Sequence, residues 1–170
     1  MQQFSQEWRD WLDQYGGRLM LFARQQTRCE ADAEDVFQAA LVRTWKTHRA
    51  APDAQVVSLT YTNIRRCAID LGRSNDRRKR REGEAMQERG ELIAWFELPE
   101  DDTNRALQVA MSKVPEKFRD VITLKIWGNQ TFDEIGKTLE ISPNTAASRY
   151  RYGMEALRKS LEGEKVEMGF

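Results

Sequence analysis

The stretch TFDEIGKTLEISPNTAASRYRYGMEALRKSL, residues 131–161, predicts two helices separated by a tight turn. Thr131, followed three residues later by Glu134, forms a capping box, in which a hydroxyl and a carboxylate satisfy free amide groups of a first helical turn. Ser142 before Pro143 marks the start of the second helix, because Ser is a favoured N-cap and Pro is pre-set for the first helical position. Two helices joined by so few residues predict a helix-turn-helix.

The outer face of the second helix suits a nucleic-acid groove. Small polar and basic side chains project from it, while apolar residues such as Ala146 and Leu157 line the opposite face. Asn and Arg on such a face can read base edges in a major groove about 12 Å wide, and a further Arg can reach phosphates. The DNA-reading candidates on this helix are Asn144, Thr145, Ala147, Ser148, Arg149 and Arg151.

Apolar residues at steps of three and four predict five further helices, three near the N-terminus and two directly before the helix-turn-helix. The third helix has the most regular stripe, which runs Val57, Tyr61, Ile64, Ala68 and Leu71. Asp32 is the predicted N-cap of the second helix. The predicted inner stripe of that second helix comprises Phe37, Leu41, Thr44 and Trp45. The predicted fold is therefore all-α, with a three-helix domain followed by a four-helix domain.

Charge divides the middle of the chain into two opposite blocks. Residues 65–82 hold eight basic and three acidic side chains, whereas residues 84–102 hold seven acidic side chains and one Arg. Gly83 precedes the acidic stretch, and Gly90 and Pro99 interrupt it, which indicates a linker. We therefore predict a first domain over residues 1–82, an acidic linker over residues 83–103 and a second domain over residues 104–162.

The composition is typical of a helix-rich globular protein. Of the 170 residues, 40% are hydrophobic and 32% are charged, and the net charge is zero. No apolar run approaches the roughly 20 residues that cross a bilayer, and the N-terminus lacks a signal-peptide pattern, so we expect a cytoplasmic protein without membrane insertion. Cys29 and Cys67 have no second Cys or His at ligand spacing, so no metal, cofactor or disulfide is predicted.

Three segments resemble the sigma-70 family of RNA polymerase sigma factors, in its extracytoplasmic-function group. DAEDVFQAALVRTWK, residues 32–46, is similar to a helix of the family's second region, which reads Asp-Ala-Glu-Asp, then Gln, then an aromatic residue near its end. YTNIRRCAIDLGR, residues 61–73, is similar to the segment that melts and reads the promoter element nearest the start site. Residues 114–161 are similar to the fourth region. No third-region domain fits between these segments, as the extracytoplasmic-function group implies.

The resemblance implies a transcription initiation factor that binds core RNA polymerase and directs it to promoter DNA. The outward face of the second helix would bind the coiled coil of the polymerase clamp. A face with acids and an amide also suits a hydrogen-bonded interface with a basic helical partner. The polymerase-binding candidates are Asp32, Glu34, Asp35, Gln38 and Val42. The family further implies an anti-sigma factor as a partner.

By the same resemblance, the third helix would melt and read the proximal promoter element, and the loop over residues 49–57 would receive an unstacked base. Aromatic and Arg planes can hold such bases, and Arg also binds phosphates. The candidates are Tyr61, Asn63, Arg65, Arg66, Arg73, Arg77 and Arg78. Two interpretations stay open: Tyr61 also belongs to the apolar stripe, and the cluster Arg77–Arg81 is either a phosphate-binding or a solvated helix end.

The fourth-region segment departs from the family pattern at two positions. Glu140 occupies a turn position where the family usually has Gly, and Ala147 stands where a basic residue is common. The predicted fold is unaffected by these changes, but the promoter sequence that the second helix reads is left open.

Two other functions stay open from the residues alone. A helix-turn-helix regulator that needs no polymerase would bind promoter DNA tightly by itself, and a helical adaptor would bind proteins only. No catalytic residue is predicted, because the one histidine, His48, stands at a predicted helix end without a Cys or Ser partner and no Gly-rich phosphate loop is present.

Overall fold

The computed structural model describes residues 5–83 and 102–167, with side chains up to residue 164 and, in the second range, from residue 103. These residues form seven α-helices and no strand, so the predicted all-α fold of two helical domains is confirmed. The helices are α1 (Gln6–Gln26), α2 (Glu30–Thr47), α3 (Ala54–Glu82), α4 (Asp102–Lys113), α5 (Glu116–Ile126), α6 (Phe132–Leu139) and α7 (Pro143–Glu167).

The helices belong to two compact units, α1–α3 within residues 1–93 and α4–α7 within residues 94–170. Most of the predicted linker, residues 84–101, lies outside the described residues, so the domain boundaries stay a prediction. None of the helices in the described ranges combines the length and the apolar character that a bilayer span requires.

Large apolar side chains of α1 and α3 form the centre of the N-terminal unit. Leu19, Phe22 and Ile64 are fully buried, and Tyr61 is only 1% exposed. The rings of Phe22 and Tyr61 meet edge to face with their centroids 5.4 Å apart, a favourable geometry for two aromatic side chains. The regular stripe predicted for α3 is therefore the core face of that helix as far as Ala68, and Leu71 is half-buried.

Helix α2 contributes smaller residues to this core. Its buried positions are Ala33, Val36, Ala40 and Thr44. Of the predicted inner stripe, Thr44 is buried as expected, whereas Phe37, Leu41 and Trp45 lie half-buried at the edge of the contact, each one residue after a buried position. Alanines allow a closer approach between helices than large side chains do, and spacing of large apolar residues alone does not reveal such a contact.

Helix α2 also begins earlier than predicted. Glu30 is its first residue, and Cys29 is the N-cap without a side-chain cap bond, so the prediction that Asp32 caps this helix is wrong. Asp32 lies in the first turn, where the helix dipole favours negative charge. Helix α3 does have an acidic cap, since the Asp53 side chain accepts hydrogen bonds from two amides of the first turn.

Helix α7 forms the centre of the C-terminal unit, and α4, α5 and α6 pack against it. Val121, Ile122 and Ala146 are fully buried in this unit. Gly153 permits the close approach of α5 to α7, because a Cβ at this position would lie 3.0 Å from Ile122 Cδ1.

The helix-turn-helix predicted for residues 131–161 is confirmed. The Thr131 hydroxyl oxygen accepts the Glu134 amide, and the Glu134 carboxylate accepts the Thr131 amide, which completes the capping box. At the start of α7, the Ser142 hydroxyl oxygen accepts a hydrogen bond from the Thr145 amide at 3.1 Å. Both helix starts are therefore stabilised by the side chains that local sequence predicts.

Two residues determine the turn between α6 and α7. Glu140 is the C-cap of α6 and adopts the left-handed conformation, with φ 57° and ψ 45°. Gly136 packs directly under the turn, where a Cβ would lie 2.7 Å from the carbonyl oxygen of Ile141. Only glycine fits at residue 136 without movement of the backbone.

Candidate functional site

The outward face of α2 carries exposed acidic and amide side chains. Glu34, Asp35 and Gln38 are exposed, and Val42, one turn further on, is 47% exposed. Asp32 is half-buried at the start of the same helix. The structure therefore brings four of the five predicted polymerase-binding residues to the surface of one helix, with an apolar side chain among polar ones.

Two predicted DNA-binding residues of α3 are buried instead. Tyr61 lies in the core against Phe22, so its ring is unable to stack on a base in this conformation. Burial also raises the pKa of its hydroxyl. Asn63 is 6% exposed and its side-chain amide donates to the Thr44 hydroxyl at 2.9 Å. Thr44 in turn donates to the Ala40 carbonyl at 2.8 Å, so Asn63 joins α3 to α2 and is not exposed for a contact with DNA in this conformation.

The arginines of α3 differ in their surroundings. Arg65 is half-buried and donates to the Gln26 side-chain oxygen of α1 at 2.9 Å. The remaining four predicted DNA-binding arginines are all exposed: Arg66, Arg73, Arg77 and Arg78. The exposed side of α3 is therefore strongly basic.

A cleft of about 370 Å³ lies beside the loop that follows α2. Its lining includes Trp8, Trp45 and Arg49, and the Arg49 guanidinium lies 6.0 Å from the centre of the Trp45 ring. A flat aromatic ring with an adjacent Arg is the kind of surface on which an unpaired base stacks. The half-buried Trp45 ring is therefore more accessible than the buried Tyr61 ring.

The outer face of α7 exposes three of its six predicted DNA-reading side chains. Asn144, Ser148 and Arg151 are exposed, and the other three predicted residues, Thr145, Ala147 and Arg149, are half-buried. The Thr145 hydroxyl accepts a hydrogen bond from Ser142 at 2.9 Å, so it belongs to the cap as well as to the outer face.

Tyr152 is a residue of this face that the sequence analysis missed. It is 51% exposed, and the Arg151 guanidinium lies 5.0 Å from the centre of its ring. Tyr152 follows Ser148 by four residues and Thr145 by seven, which places all three on one side of the helix. That spacing was the available signal, but tyrosine is not among the side chains that usually read base edges.

No candidate metal centre is found among the described residues. No group of three or more His, Cys, Asp or Glu side chains among them is arranged to hold an ion. Cys29 is exposed and Cys67 is buried, both as free thiols, and burial is the main cause that raises the pKa of the Cys67 thiol.

A helix-turn-helix with a polar outer face and a second helix with an exposed arginine-rich side define a helical DNA-binding protein. Comparison with known families is more specific. The family model of sigma-70 region 2 matches residues 11–78, and that of sigma-70 region 4 matches residues 110–159. The chain belongs to the sigma-70 family of RNA polymerase sigma factors, in its extracytoplasmic-function group.

Individual relatives agree with this assignment. The extracytoplasmic-function sigma factor SigW of Bacillus subtilis is 28% identical, over 76% of this chain and 75% of its own length. The RNA polymerase sigma-E factor of Streptomyces avermitilis is 28% identical, over 88% of this chain and 82% of its own. Sigma factors are transcription initiation factors and not enzymes.

The fold is also similar to that of a solved sigma factor. The sigma factor RpoE of Bartonella quintana, in a crystal structure with the anti-sigma factor NepR, matches with a TM-score of 0.67. The match covers 93% of this chain and 98% of that chain at 16% sequence identity, so it concerns the fold alone.

Proposed function

We propose that this chain directs core RNA polymerase to promoters by binding polymerase through α2 and promoter DNA through α3 and α7. The observation that carries the proposal is the order of three exposed surfaces along one chain: an acidic and amide face on α2, a basic side on α3 and a polar helix-turn-helix face on α7. Membership of the sigma-70 family supports the same assignment, with polymerase binding in the region 2 match and DNA binding in both matched regions.

The polymerase contact is assigned to Glu34, Asp35, Gln38 and Val42. Acids and an amide on one helix face pair with a basic helical partner, and an exposed valine among them gives the apolar centre that stable interfaces have. Asp32 lies at the margin of this face, because it is half-buried in the first turn.

The proximal promoter contact is assigned to the exposed arginines of α3, namely Arg66, Arg73, Arg77 and Arg78. They bind phosphates, while the cleft lined by Trp45 and Arg49 accepts a base that leaves the stack as the duplex opens. Arg65 acts indirectly by holding α3 against Gln26 of α1.

The distal promoter contact is assigned to the outer face of α7. Asn144, Ser148 and Arg151 enter the major groove, and Tyr152 adds an apolar ring beside the Arg151 guanidinium. Arg149 reaches the backbone phosphates at the groove edge.

The remaining assignments follow from this function. The protein acts in the cytoplasm, where polymerase and DNA are, and residues 1–82 and 104–162 form the two functional domains that residues 83–103 connect. We include an anti-sigma factor among its partners, since the similar RpoE was solved with one.

A polymerase-independent helix-turn-helix regulator is the second candidate, because the polar face of α7 would serve such a protein equally well. DNA binding with and without core polymerase separates the two. Our proposal predicts weak retention of promoter fragments by the protein alone and strong, sequence-dependent retention after core enzyme is added. Tight specific binding without polymerase would establish the regulator, and protein binding without any DNA affinity would establish an adaptor.

A further inference from the structure

Helix α7 is longer than a helix that only reads DNA needs to be. It contains 25 residues, which corresponds to about 37 Å at 1.5 Å per residue. A recognition helix contacts base edges with the residues near its N-terminus, and the reading residues proposed for α7 end at Tyr152. Residues 153–164 therefore lie beyond the part of the helix that reads the promoter.

The charges on this later part of α7 differ from those of the reading part. Glu155, Arg158, Lys159 and Glu162 are all exposed, and acidic and basic side chains are mixed among them. Glu155 and Lys159 form an ion pair at 3.3 Å, with 51% and 67% of their side chains exposed. DNA phosphates would repel the two acids, whereas a surface of mixed charge suits a protein partner.

An apolar groove lies beside these charges. It has a volume of about 520 Å³, and Met154, Leu157 and Leu161 line it together with charged neighbours. Leu157 is buried, whereas Met154 and Leu161 are half-buried. The three residues follow one another at steps of three and four, the spacing at which one helix packs along another. The groove therefore fits a second helix.

An antiparallel copy of α7 fits this groove. When two identical helices pair antiparallel, each residue before the midpoint lies opposite one that follows it by the same distance. A two-fold axis between residues 157 and 158 places Met154 opposite Leu161 of the second copy, and Leu161 opposite Met154. The half-buried side chains of both copies would then be covered by one another.

The same register also pairs charges of opposite sign. Glu155 lies within one turn of Arg158 of the second copy, and Arg151 lies within one turn of Glu162. The two-fold axis repeats both pairs. Arg158 approaches its own copy near the axis, but Glu155 and Glu162 flank it on its own helix at three and four residues and offset the repulsion. A parallel pair would instead place every charge opposite itself.

We propose that two copies of this chain associate through antiparallel pairing of α7 when polymerase is absent. Exposed ion pairs contribute little each and are screened by salt, so the dimer forms at high protein concentration and dissociates as salt is raised. The interface contains Arg151, so paired copies are unable to read the distal promoter element. This consequence rests on the proposed function, whereas the pairing itself does not.

The first test is charge reversal, measured by sedimentation equilibrium of the full chain. Glu155→Arg with Glu162→Arg makes the interface wholly basic, and Arg151→Glu with Arg158→Glu makes it wholly acidic. Each variant alone should self-associate about tenfold more weakly than wild type or worse, and an equal mixture of the two should form a heterodimer. Asp10→Arg with Asp13→Arg, at exposed positions of α1, is the control and should follow wild type.

The second test is a cross-link that reports the register, in full-length protein whose exposed Cys29 is replaced by Ser. Mild oxidation of a mixture of Met154→Cys and Leu161→Cys should join one variant to the other. Neither variant alone should cross-link, because residue 154 would lie about 10 Å along the axis from its own copy, beyond the roughly 7 Å that a disulfide spans.

Three results would overturn the proposal. They are a wild-type protein that stays monomeric at every concentration, charge-reversed variants whose mixture fails to associate, and cross-linking that is as strong within each Cys variant as between them. Failure of the wild-type holoenzyme to initiate would refute the proposed function alone, since sedimentation and cross-linking are measured without polymerase or DNA.

Discussion

At the residue scale, the hydroxyl of Tyr61 lies inside the N-terminal unit, where its ring packs edge to face on Phe22. Burial raises the pKa of this phenol above its ordinary value of 10.0, although the positive charge of Arg18 partly opposes the increase. The folded state therefore holds the phenolic proton more tightly than the unfolded state does. The resulting stabilisation is complete below about pH 10 and is lost as the pH rises toward the higher pKa of the folded state.

Tyr61→Phe should make the unfolding free energy less dependent on pH above pH 10, because it keeps the aromatic ring and removes the ionisable hydroxyl. The measurement is urea unfolding followed by circular dichroism between pH 8 and pH 11. Tyr152→Phe, at an exposed position in the other unit, is the matched control and should follow wild type. The same alkaline loss of stability in wild type and Tyr61→Phe would contradict this account of the core.

Exposure of four of the five predicted DNA-binding arginines of α3 was predictable from sequence, but burial of Asn63 on the same helix was not. The exposed state of Arg66 and Arg73 follows from their spacing outside the apolar stripe. Asn63 has the same polar character, yet it is buried because its hydrogen-bond partner, Thr44, stands 19 residues earlier in the chain. Such a partner becomes visible only when α2 and α3 are packed together.

At the element scale, the turn of the helix-turn-helix contains a residue in a costly conformation. Glu140 has φ 57° without being glycine, and left-handed backbone costs an ordinary residue about 1–2 kcal/mol. A glycine at this position would remove the strain and lose about 0.5–1 kcal/mol through its greater freedom in the unfolded chain. The difference leaves a modest net stabilisation.

Glu140→Gly should therefore stabilise the C-terminal unit by roughly 0.5–1 kcal/mol. Gly136→Ala should do the opposite, by about 1–3 kcal/mol, because its Cβ would meet the Ile141 carbonyl oxygen at 2.7 Å. Thermal unfolding of both variants measures the effects. The melting temperature should rise for Glu140→Gly and fall for Gly136→Ala. A lower melting temperature for Glu140→Gly would show that its side chain contributes more than the backbone strain costs.

The outer face of α7 should determine which promoters are chosen. Ser148→Ala with Arg151→Ala should weaken distal promoter binding by about 1–3 kcal/mol for each specific base pair that is no longer read. Lys137→Ala, an exposed change on α6, is the control for loss of a surface charge. Unchanged promoter choice by the double variant, measured by competition between promoter fragments, would place the reading face elsewhere on the helix.

Helix starts with local capping signals were predictable, whereas contacts formed by small residues were not. The capping box at Thr131 and the Ser142 cap each involve residues within three positions, so sequence alone contains the whole interaction. The inner face of α2 depends on Ala33 and Ala40, which carry little hydrophobic signal by themselves. The prediction for α2 therefore followed the larger residues and was displaced.

At the scale of the whole molecule, the proposed function separates polymerase binding from DNA reading. Asp35→Arg with Gln38→Ala should abolish co-purification with core polymerase, because a basic side chain would face a basic partner at a cost of about 2–5 kcal/mol. Both residues are exposed, so the fold should be unaffected. Pull-down with core enzyme measures the binding, and circular dichroism checks the fold. Retained binding by this variant would remove α2 from the polymerase contact.

The two helical domains and their family were predictable because each region leaves a long, ordered pattern in the chain. The match of region 2 covers residues 11–78 and that of region 4 covers residues 110–159. The site was predictable only in part, since Tyr61 and Asn63 are buried and Tyr152 joins the outer face of α7. Exposure of a single side chain depends on packing between helices, which a pattern along one helix does not contain.

The most direct test of the central claim is initiation by purified core RNA polymerase that lacks any sigma factor. Core enzyme and this protein, mixed with genomic DNA fragments of the source organism, should produce transcripts whose start sites share upstream sequence elements, and core enzyme alone should not produce them. Asp35→Arg with Gln38→Ala should lose the same start sites. Folded wild-type protein that adds no start site to those of core enzyme alone would contradict the account.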